Sequence, residues 1–136
     1  MKKIFFVVAF FFTVNSMAQT PPPAVQAAFS KTYPDAKMKK WEKENGKYEA
    51  DFIIDGVQTS AAYNADGTLE ETEYAIAVSA LPASIITHLQ TLYKSTTIKE
   101  ASIIKKPSGE KMYEAEINKK DLLFDMSGNF LGEEKK

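Results

Sequence analysis

The sequence contains no cysteine, no arginine and only one histidine. Without cysteine the chain has no disulfide, no thiol nucleophile and no residue for cysteine-linked lipid attachment, so its stability must come from an apolar core. One histidine is too few for a usual zinc site, which takes several histidine or cysteine ligands. Arginine is the residue that most often contacts base edges and phosphates, so its absence makes nucleic acid an unexpected partner.

Catalytic motifs are also absent from the sequence. There is no Gly-x-Ser-x-Gly elbow and no His-Glu-x-x-His pair. His88 follows Ile85 by three residues, which predicts a position at the edge of an apolar helix face. The stretch from Asp125 resembles the start of a calcium loop, but Phe130 stands where an EF-hand requires glycine. The sequence therefore predicts no catalytic residue, no metal site and no cofactor, and we do not expect an enzyme.

The amino terminus has the pattern of a secretory signal. Lys2 and Lys3 precede an apolar run, and small residues ending at Ala18 provide a cleavage site. The run is too short for a membrane-spanning helix, which needs about 20 apolar residues. We predict a signal peptide over residues 1–18 and no membrane insertion after its cleavage. The remaining 118 residues carry 15 lysines and 18 acidic residues, and this length fits one domain.

Proline and turn signals predict one helix and four strands in the first half of the chain. Pro22 opens a helical pattern that continues to Thr32. Asn-Gly or Asp-Gly pairs follow at residues 45–46, 55–56 and 66–67. Each pair is a strong hairpin signal, because both of its residues accept positive φ. The predicted strands are Met38–Glu44, Lys47–Ile54, Val57–Ala65 and Thr68–Val78.

The second half of the chain shows the same succession. Leu81-Pro82 opens a helical pattern in which Ile85 and Leu89 share a face. A short turn is predicted at Asn118–Lys120, and Gly132–Lys136 is predicted to be a polar, solvated tail. The predicted strands are Ile98–Lys105, Lys111–Ile117, Asp121–Met126 and Asn129–Leu131.

Landmarks of the two halves align in the same order and at nearly constant spacing. The helical pattern that opens at Pro22 recurs at Pro82, YEADF recurs as YEAEI, and YNADG recurs as FDMSG. The small differences in spacing leave every strand residue on its original face. We therefore predict an α+β fold: a tandem repeat of one helix plus a four-stranded antiparallel meander, with the helices packed on one face of the sheet. Residues 19–136 would form one domain, with repeats at about 21–78 and 80–131.

Two-residue turns fix which side chains share a face of the predicted sheet. The helix-covered face is predicted to hold Trp41, Tyr48, Ala50, Phe52, Ile54, Val57, Ala61, Tyr63, Tyr74, Ile76 and Val78. The opposite face is predicted to hold the acidic residues Glu42, Glu49, Asp51, Glu71, Glu73, Glu114 and Glu116. We expect these acids to be exposed. They would form either a solvated sheet face or a surface that binds a partner.

Several segments, taken in order, resemble the PepSY-like family of exported bacterial proteins, whose fold is similar to that of the β-lactamase-inhibitor protein. They are PPPAVQAAFSKTYPDA, WEKENGKYEADFIIDG, YNADGTLEETEYAI, LPASIITHL, and YEAEI with FDMSGNFL. The resemblance implies a tandem α+β repeat, a periplasmic or secreted location, and no catalytic motif. We therefore expect a non-enzymatic binding module of the cell envelope, inhibitor-like or protein-interacting, whose partner is another envelope protein. The alternative is a periplasmic protein that binds a small ligand or a cation.

Overall fold

The computed structural model describes residues 19–94 and 97–135. The predicted signal peptide, residues 1–18, lies outside the described residues. The helices are α1 (Pro23–Thr32) and α2 (Ala83–Leu92), and a 3₁₀ turn at Val78–Ala80 precedes α2. The strands are β1 (Lys37–Glu44), β2 (Lys47–Ile54), β3 (Val57–Tyr63), β4 (Leu69–Ile76), β5 (Glu100–Lys105), β6 (Lys111–Ile117), β7 (Lys120–Asp125) and β8 (Phe130–Lys135). In the part of the chain that is described, neither helix has the length and apolarity needed to cross a bilayer.

A proline precedes each helix as its N-cap residue, and a tyrosine follows each helix as its C-cap residue. Pro22 and Pro82 occupy the N-cap positions, where a missing N–H costs nothing. At the other end, the backbone N–H of Tyr33 donates to the carbonyl of Phe29, and Tyr93 makes the equivalent bond. Each helix buries two residues spaced four apart, which is one stripe of an α-helix. The predicted helices are confirmed, and each starts within two residues of its predicted position.

The eight strands form one antiparallel sheet in chain order, β1 to β8. The antiparallel α+β class is therefore confirmed. At the first two hairpins, Asn45-Gly46 and Asp55-Gly56 all have positive φ, as the turn signal requires. The resulting register pairs Trp41 with Ala50 and Phe52 with Thr59, as predicted. The strand order leaves β1 and β8 as the two edges, and the register is irregular in both edge pairings.

The end of the chain differs from the prediction. Asn118 and Lys119 alone form the β6–β7 turn, both with positive φ, and Lys120 already belongs to β7. The predicted polar tail is wrong, because residues 130–135 form β8 and pair with β7. Lys120 and Glu133 face each other across this hairpin at 3.2 Å. Turn signals locate strand starts well, but they say little about how far a polar edge strand continues.

Two apolar clusters join the helices to one face of the sheet. In the first half, Val25 and Phe29 of α1 contact Ala50, Phe52, Ala61 and Tyr63. In the second half, Ile85 and Leu89 of α2 contact Ala101, Ala115, Ile117, Leu122 and Phe124. Tyr48 and Tyr113 lie on this side and are partly buried. Val57 has the predicted parity but is exposed, because it lies in the turn-proximal end of β3.

Each helix also rests against a hairpin turn at its amino-terminal end. A Cβ added to Gly67 would lie 2.7 Å from the carbonyl oxygen of Ala24 in α1. A Cβ added to Gly128 would lie 2.3 Å from Oγ of Ser84 in α2. Both glycines have positive φ as well. These close approaches fix where each helix lies along the sheet.

Candidate functional site: the acidic sheet face

The predicted acidic residues all lie on the sheet face opposite the helices, which we call the acidic face. The register shows this directly: Glu42 is paired with Glu49, which is two residues from Asp51, and Ser60 is paired with Glu73. In the second half Glu114 is paired with Ser102. Since side chains alternate along a strand, one face holds Glu42, Glu49, Asp51, Glu71, Glu73, Glu114 and Glu116.

The expectation that these acids are exposed is wrong. Glu71, Glu114 and Glu116 are 2%, 7% and 6% exposed. The remaining four, Glu42, Glu49, Asp51 and Glu73, are partly buried. The acidic face is therefore a partly enclosed surface, and its carboxylates lose much of their hydration.

The cause is a third apolar cluster on the acidic face itself. Ile104, Met112 and Leu123 have the same parity as the acids and are almost completely buried together. Strands β5 to β7 are thus buried on both faces. The sequence carried a signal for this, because Ile103-Ile104 and Leu122-Leu123-Phe124 are continuous apolar runs, which are typical of strands covered on both sides.

The first group of acids lies on β1 and β2. Carboxylate oxygens of Glu42, Glu49 and Asp51 all lie within 4.8 Å of one another. This is the one such gathering of three or more potential metal ligands within residues 19–94 and 97–135. Nζ of Lys40 lies 2.7 Å from Oε1 of Glu42 and 3.5 Å from Oδ2 of Asp51. Lys40, which was not predicted to belong to the site, therefore offsets part of the negative charge of the three carboxylates.

Burial changes the protonation of this group. Loss of hydration, followed by the charge of Asp51, raises the pKa of Glu49 far above its usual range. Burial also raises the pKa of Asp51, although a hydrogen bond from Glu49 and the charge of Lys40 oppose the change. A protonated Glu49 that donates to an ionised Asp51 satisfies both observations. The two carboxyl groups act as one proton-sharing pair.

The second group of acids lies on β4, β6 and β7. Glu71 forms an ion pair with Lys106 through Oε2, while its Oε1 has no hydrogen-bond partner among the described residues. Burial raises the pKa of Glu73 to about 7, opposed by hydrogen bonds with Ser102 and Glu114. Asp121, which sequence reasoning did not assign to the face, is almost completely buried here. It is paired with Glu116 on β6 and with Glu134 on β8.

Electrostatic contacts show how far the sheet curls over this group. The charge of Asp121 on β7 raises the pKa of Glu73 on β4. The charge of Glu71 raises the pKa of Glu134 on β8, and the charge of Lys106 lowers it. Burial, followed by these neighbouring acids, raises the pKa of Glu134. Strands β4 and β8 are four positions apart in the sheet order, so side chains on them come within electrostatic range because the acidic face curls. The sequence could show that the acids share a face but not that this face curls.

A pocket of about 280 Å³ opens on the acidic face between β3 and β6. Polar and charged groups form much of its lining. Of the apolar lining residues Ala75, Ile76, Val78 and Ala101, Ala75 has the parity of the acids, whereas the other three belong to or pack against the α2 cluster on the opposite face. The polar lining residues are Gln58, Thr59, Ser60, Glu73, Lys99, Glu100, Ser102, Glu114 and Glu116. Three of the predicted acids, Glu73, Glu114 and Glu116, therefore come together at a concave site.

His88 takes no part in either group of acids. Its ring stacks on Phe130 at 5.2 Å and meets Phe124 edge-on at 5.5 Å. Both rings belong to strands on which α2 packs, so the histidine is a packing residue at the edge of the helix, as predicted.

The geometry agrees with comparisons to known proteins. The family model "Putative beta-lactamase-inhibitor-like, PepSY-like" matches residues 16–57 and 46–132. Among solved structures, "putative periplasmic proteins" of Bacteroides eggerthii align with a TM-score of 0.75 and 19% identity, over 85% of this chain and 89% of that chain. A BLIP-like protein of Bacteroides fragilis aligns with a TM-score of 0.64 and 28% identity, over 85% and 86%. No curated protein matches the sequence.

A further structural neighbour is a DUF2874 family protein of Bacteroides ovatus, with a TM-score of 0.72, 20% identity and coverage of 85% and 88%. Because the sequence identities are low, these alignments show that the fold is shared and nothing beyond the fold. The predicted location, periplasm or secreted, agrees with the periplasmic description of such neighbours. The family match spans most of the chain and bears out the resemblance noted from the sequence segments. This protein belongs to the PepSY-like, beta-lactamase-inhibitor-like family.

Proposed function

We propose that this protein is an exported, periplasmic, non-enzymatic binding module that holds a partner protein against the acidic face. The observation that carries the proposal is the concentration of partly dehydrated carboxylates on a concave sheet face that neither α1 nor α2 covers. Dehydrated charges bind an oppositely charged partner more strongly than solvated ones do, because water screens them less. The family's likeness to beta-lactamase inhibitors supports the idea of an inhibitor-like role, by analogy of fold.

The proposal includes a repeated architecture. The order of one helix followed by four strands occurs twice along the chain. The contact of Gly67 with Ala24 in the first half has a counterpart in the second half, where Gly128 contacts Ser84. These equivalent helix-to-turn contacts support two copies of one unit. On this interpretation the acidic face is built from both copies, with the first half more open and the second half more closed.

A capture experiment tests the proposed function. The protein, immobilised and exposed to envelope extract of its own organism, should retain one defined partner. The fourfold variant Glu49→Gln, Asp51→Asn, Glu71→Gln, Glu73→Gln should lose it. A matched variant with four neutralised acids elsewhere, at Asp35, Asp55, Glu110 and Glu133, should keep it. Equal capture by both variants would show that the partner does not use the acidic face.

A second candidate function is cation binding. The three clustered carboxylates Glu42, Glu49 and Asp51 are oxygen ligands of the kind that calcium and magnesium prefer. Lys40 already occupies the edge of this cluster with a positive charge, which is why this candidate ranks second. Thermal unfolding with and without calcium, magnesium or zinc tests it. A cation site requires a rise in the unfolding temperature that the Glu49→Gln variant loses, and no rise with any ion rejects it.

A further inference from the structure

The pocket between β3 and β6 combines negative charge with apolar wall. Glu73, Glu100, Glu114 and Glu116 line it, and Lys99 is the one cation in the lining. Lys99 lies at the rim, with its side chain 70% exposed and its Nζ 3.3 Å from Oε1 of Glu116. It therefore offsets one carboxylate, and acidic residues outnumber cations in the lining.

A buried carboxylate on β4 adds to the negative charge near the pocket. Glu71 lies two residues from Glu73 on the same face of β4, and its electrostatic influence reaches Glu73. Its Oε1 is buried without a hydrogen-bond partner in the described part of the chain. An unsatisfied buried carboxylate oxygen is costly. Glu71 does not line the pocket, so a cation beside Glu73 would stabilise it only through the attraction between their charges.

We infer that this pocket receives a lysine or arginine side chain of the partner protein. The inference rests on the proposed function and names the chemistry of the group that would anchor the partner. The pocket's volume of about 280 Å³ lies just below the roughly 300–1,000 Å³ of small-molecule sites, which suits one long side chain. Ala75, which has the same parity as Glu73, and the aliphatic parts of the polar lining side chains provide the apolar surface along which the methylene groups would lie, while the charged end reaches Glu73 and Glu114.

The spacing of the carboxylates favours an organic cation over a metal ion. No three of the lining acids bring their oxygens within 4.8 Å of one another, as those of β1 and β2 do. A small ion needs several oxygens converging at about 2.0–2.6 Å, whereas an ammonium or guanidinium group can donate to acceptors spread along a groove.

Binding of a cation here is coupled to protons. The pKa of Glu73 is raised to about 7 by burial and by the charges of Glu71 and Asp121, so the empty pocket holds a partly protonated carboxyl group at neutral pH. A cation beside Glu73 favours the ionised form and displaces the proton. The other charged groups around it are Glu114, Glu116, Lys99 and Lys106.

Capped pentapeptides test the inference without knowledge of the partner. The peptides carry arginine, lysine or norleucine between glycines, where norleucine has the methylene chain of lysine without its charge. They are titrated into ¹⁵N-labelled protein purified from the periplasm of an expression host. The arginine and lysine peptides should shift amide signals of β4, β5 and β6, and norleucine should bind about tenfold more weakly or less, as expected on losing a charge-assisted hydrogen bond.

Variants separate the pocket from the rest of the face. Glu73→Gln and Glu114→Gln should each lower the affinity for the arginine peptide about tenfold. Glu42→Gln, on the same face outside the pocket, should leave this affinity unchanged. Ala75→Leu narrows the pocket without changing its charge and should also weaken binding. Binding should tighten between pH 6 and pH 8 in the wild type, and this dependence should be lost in Glu73→Gln.

Several outcomes would overturn the inference. Equal binding of norleucine, signal shifts outside β3 to β6, or unchanged binding by both glutamine variants would each reject it. Tighter binding of spermidine than of either peptide would assign the pocket to a free polyamine instead. These failures are distinct from failure of the proposed function, because a partner that binds elsewhere on the acidic face would still be captured and still be lost in the fourfold variant.

Discussion

Lys106, which follows β5, forms an ion pair with Glu71 on β4, and the Glu71 side chain is 2% exposed. The pair is the point where the two halves of the sheet meet on the acidic face, since β4 belongs to the first half and β5 to the second. Lys106 is 21% exposed, so water reaches the cation but hardly reaches the carboxylate. Loss of the lysine would leave a buried carboxylate without its counter-ion.

Lys106→Met should therefore destabilise the protein by about 3 kcal/mol, the usual cost of removing one partner of a buried ion pair. The double variant Glu71→Leu, Lys106→Met should recover most of the loss, because the apolar pair leaves no uncompensated charge. Urea unfolding of the wild type, both single variants and the double variant measures the coupling. Additive losses in the double variant would show that the two groups do not depend on each other.

Folding stability should decrease as pH rises from 5 to 8, which is the reverse of ordinary acid denaturation. Glu49 and Glu73 have raised pKa values in the folded state, that of Glu49 far above its usual range and that of Glu73 at about 7. In this range the unfolded chain has already released these protons and the folded state still holds them, so rising pH favours unfolding. The change should extend through about pH 7, where Glu73 ionises. Urea midpoints at unit pH steps measure it.

The variant Glu49→Gln, Glu73→Gln is the control for this pH dependence. Glutamine mimics the protonated acid, so the folding stability of this double variant should vary less between pH 5 and pH 8 than that of the wild type. Asp66, Glu70 and Asp125 have lowered pKa values, through hydrogen bonds with Thr68, Asn64 and Asn129 respectively. The folding stability that these three ionised groups contribute is lost only below about pH 4, which is outside the range from pH 5 to pH 8. A wild-type stability that rises from pH 5 to pH 8 would contradict the burial of the acidic face.

Gly67→Ala should destabilise the protein more than Gly56→Ala. Both glycines have positive φ, +90° and +78°, so both substitutions carry a backbone cost of about 1 kcal/mol. At Gly67 the new methyl group also meets the carbonyl oxygen of Ala24 at 2.7 Å, while at Gly56 nothing lies within 4 Å. The additional loss at Gly67, about 1–3 kcal/mol for overpacking, is read from thermal or urea unfolding. Equal losses would mean that α1 is not seated on this turn.

Phe29→Ala should cost about 3–5 kcal/mol, because the ring is a buried anchor of α1. Its ring centroid lies 5.0 Å from that of Phe52 and 5.4 Å from that of Trp41. Leu92→Ala, at an exposed position of α2, should change stability by about 0.5 kcal/mol at most. Trp41 is the only tryptophan, so its fluorescence follows the first half directly. A small loss for Phe29→Ala would show that α1 does not depend on this cluster.

The sequence contained enough local information to predict most of the fold. Asn45-Gly46 and Asp55-Gly56 set the register of β1, β2 and β3, because each needs a two-residue turn with positive φ and so pairs its flanking residues. The side on which each residue of these strands lies follows from alternation alone. The length of β8 did not follow, since its strand state depends on pairing with β7 and not on its own composition.

The candidate site was only half predictable for a related reason. Parity placed the acids on one face, but their exposure depends on the curvature of the whole sheet, which brings β8 toward β4. Asp121 was missed because the predicted three-residue turn at Asn118–Lys120 places it on the opposite face, whereas the observed two-residue turn pairs it with Glu116. Lys106 was missed because it lies beyond the end of β5, where strand alternation does not assign a face. The buried positions Ile104, Met112 and Leu123, on the acidic side of their strands, were the available signal that this side closes.

Because the chain has no arginine, every ion pair on the sheet depends on a primary amine, and primary amines can be acetylated. The five lysines in the described ion pairs differ widely in accessibility, from Lys99 at 70% exposed to Lys106 at 21%. An amine-acetylating reagent in limiting amount should therefore modify Lys99 early and Lys106 last. The rate at which Lys106 reacts can be followed by mass spectrometry. It would give a direct chemical measure of how often β4 and β5 separate on the acidic face.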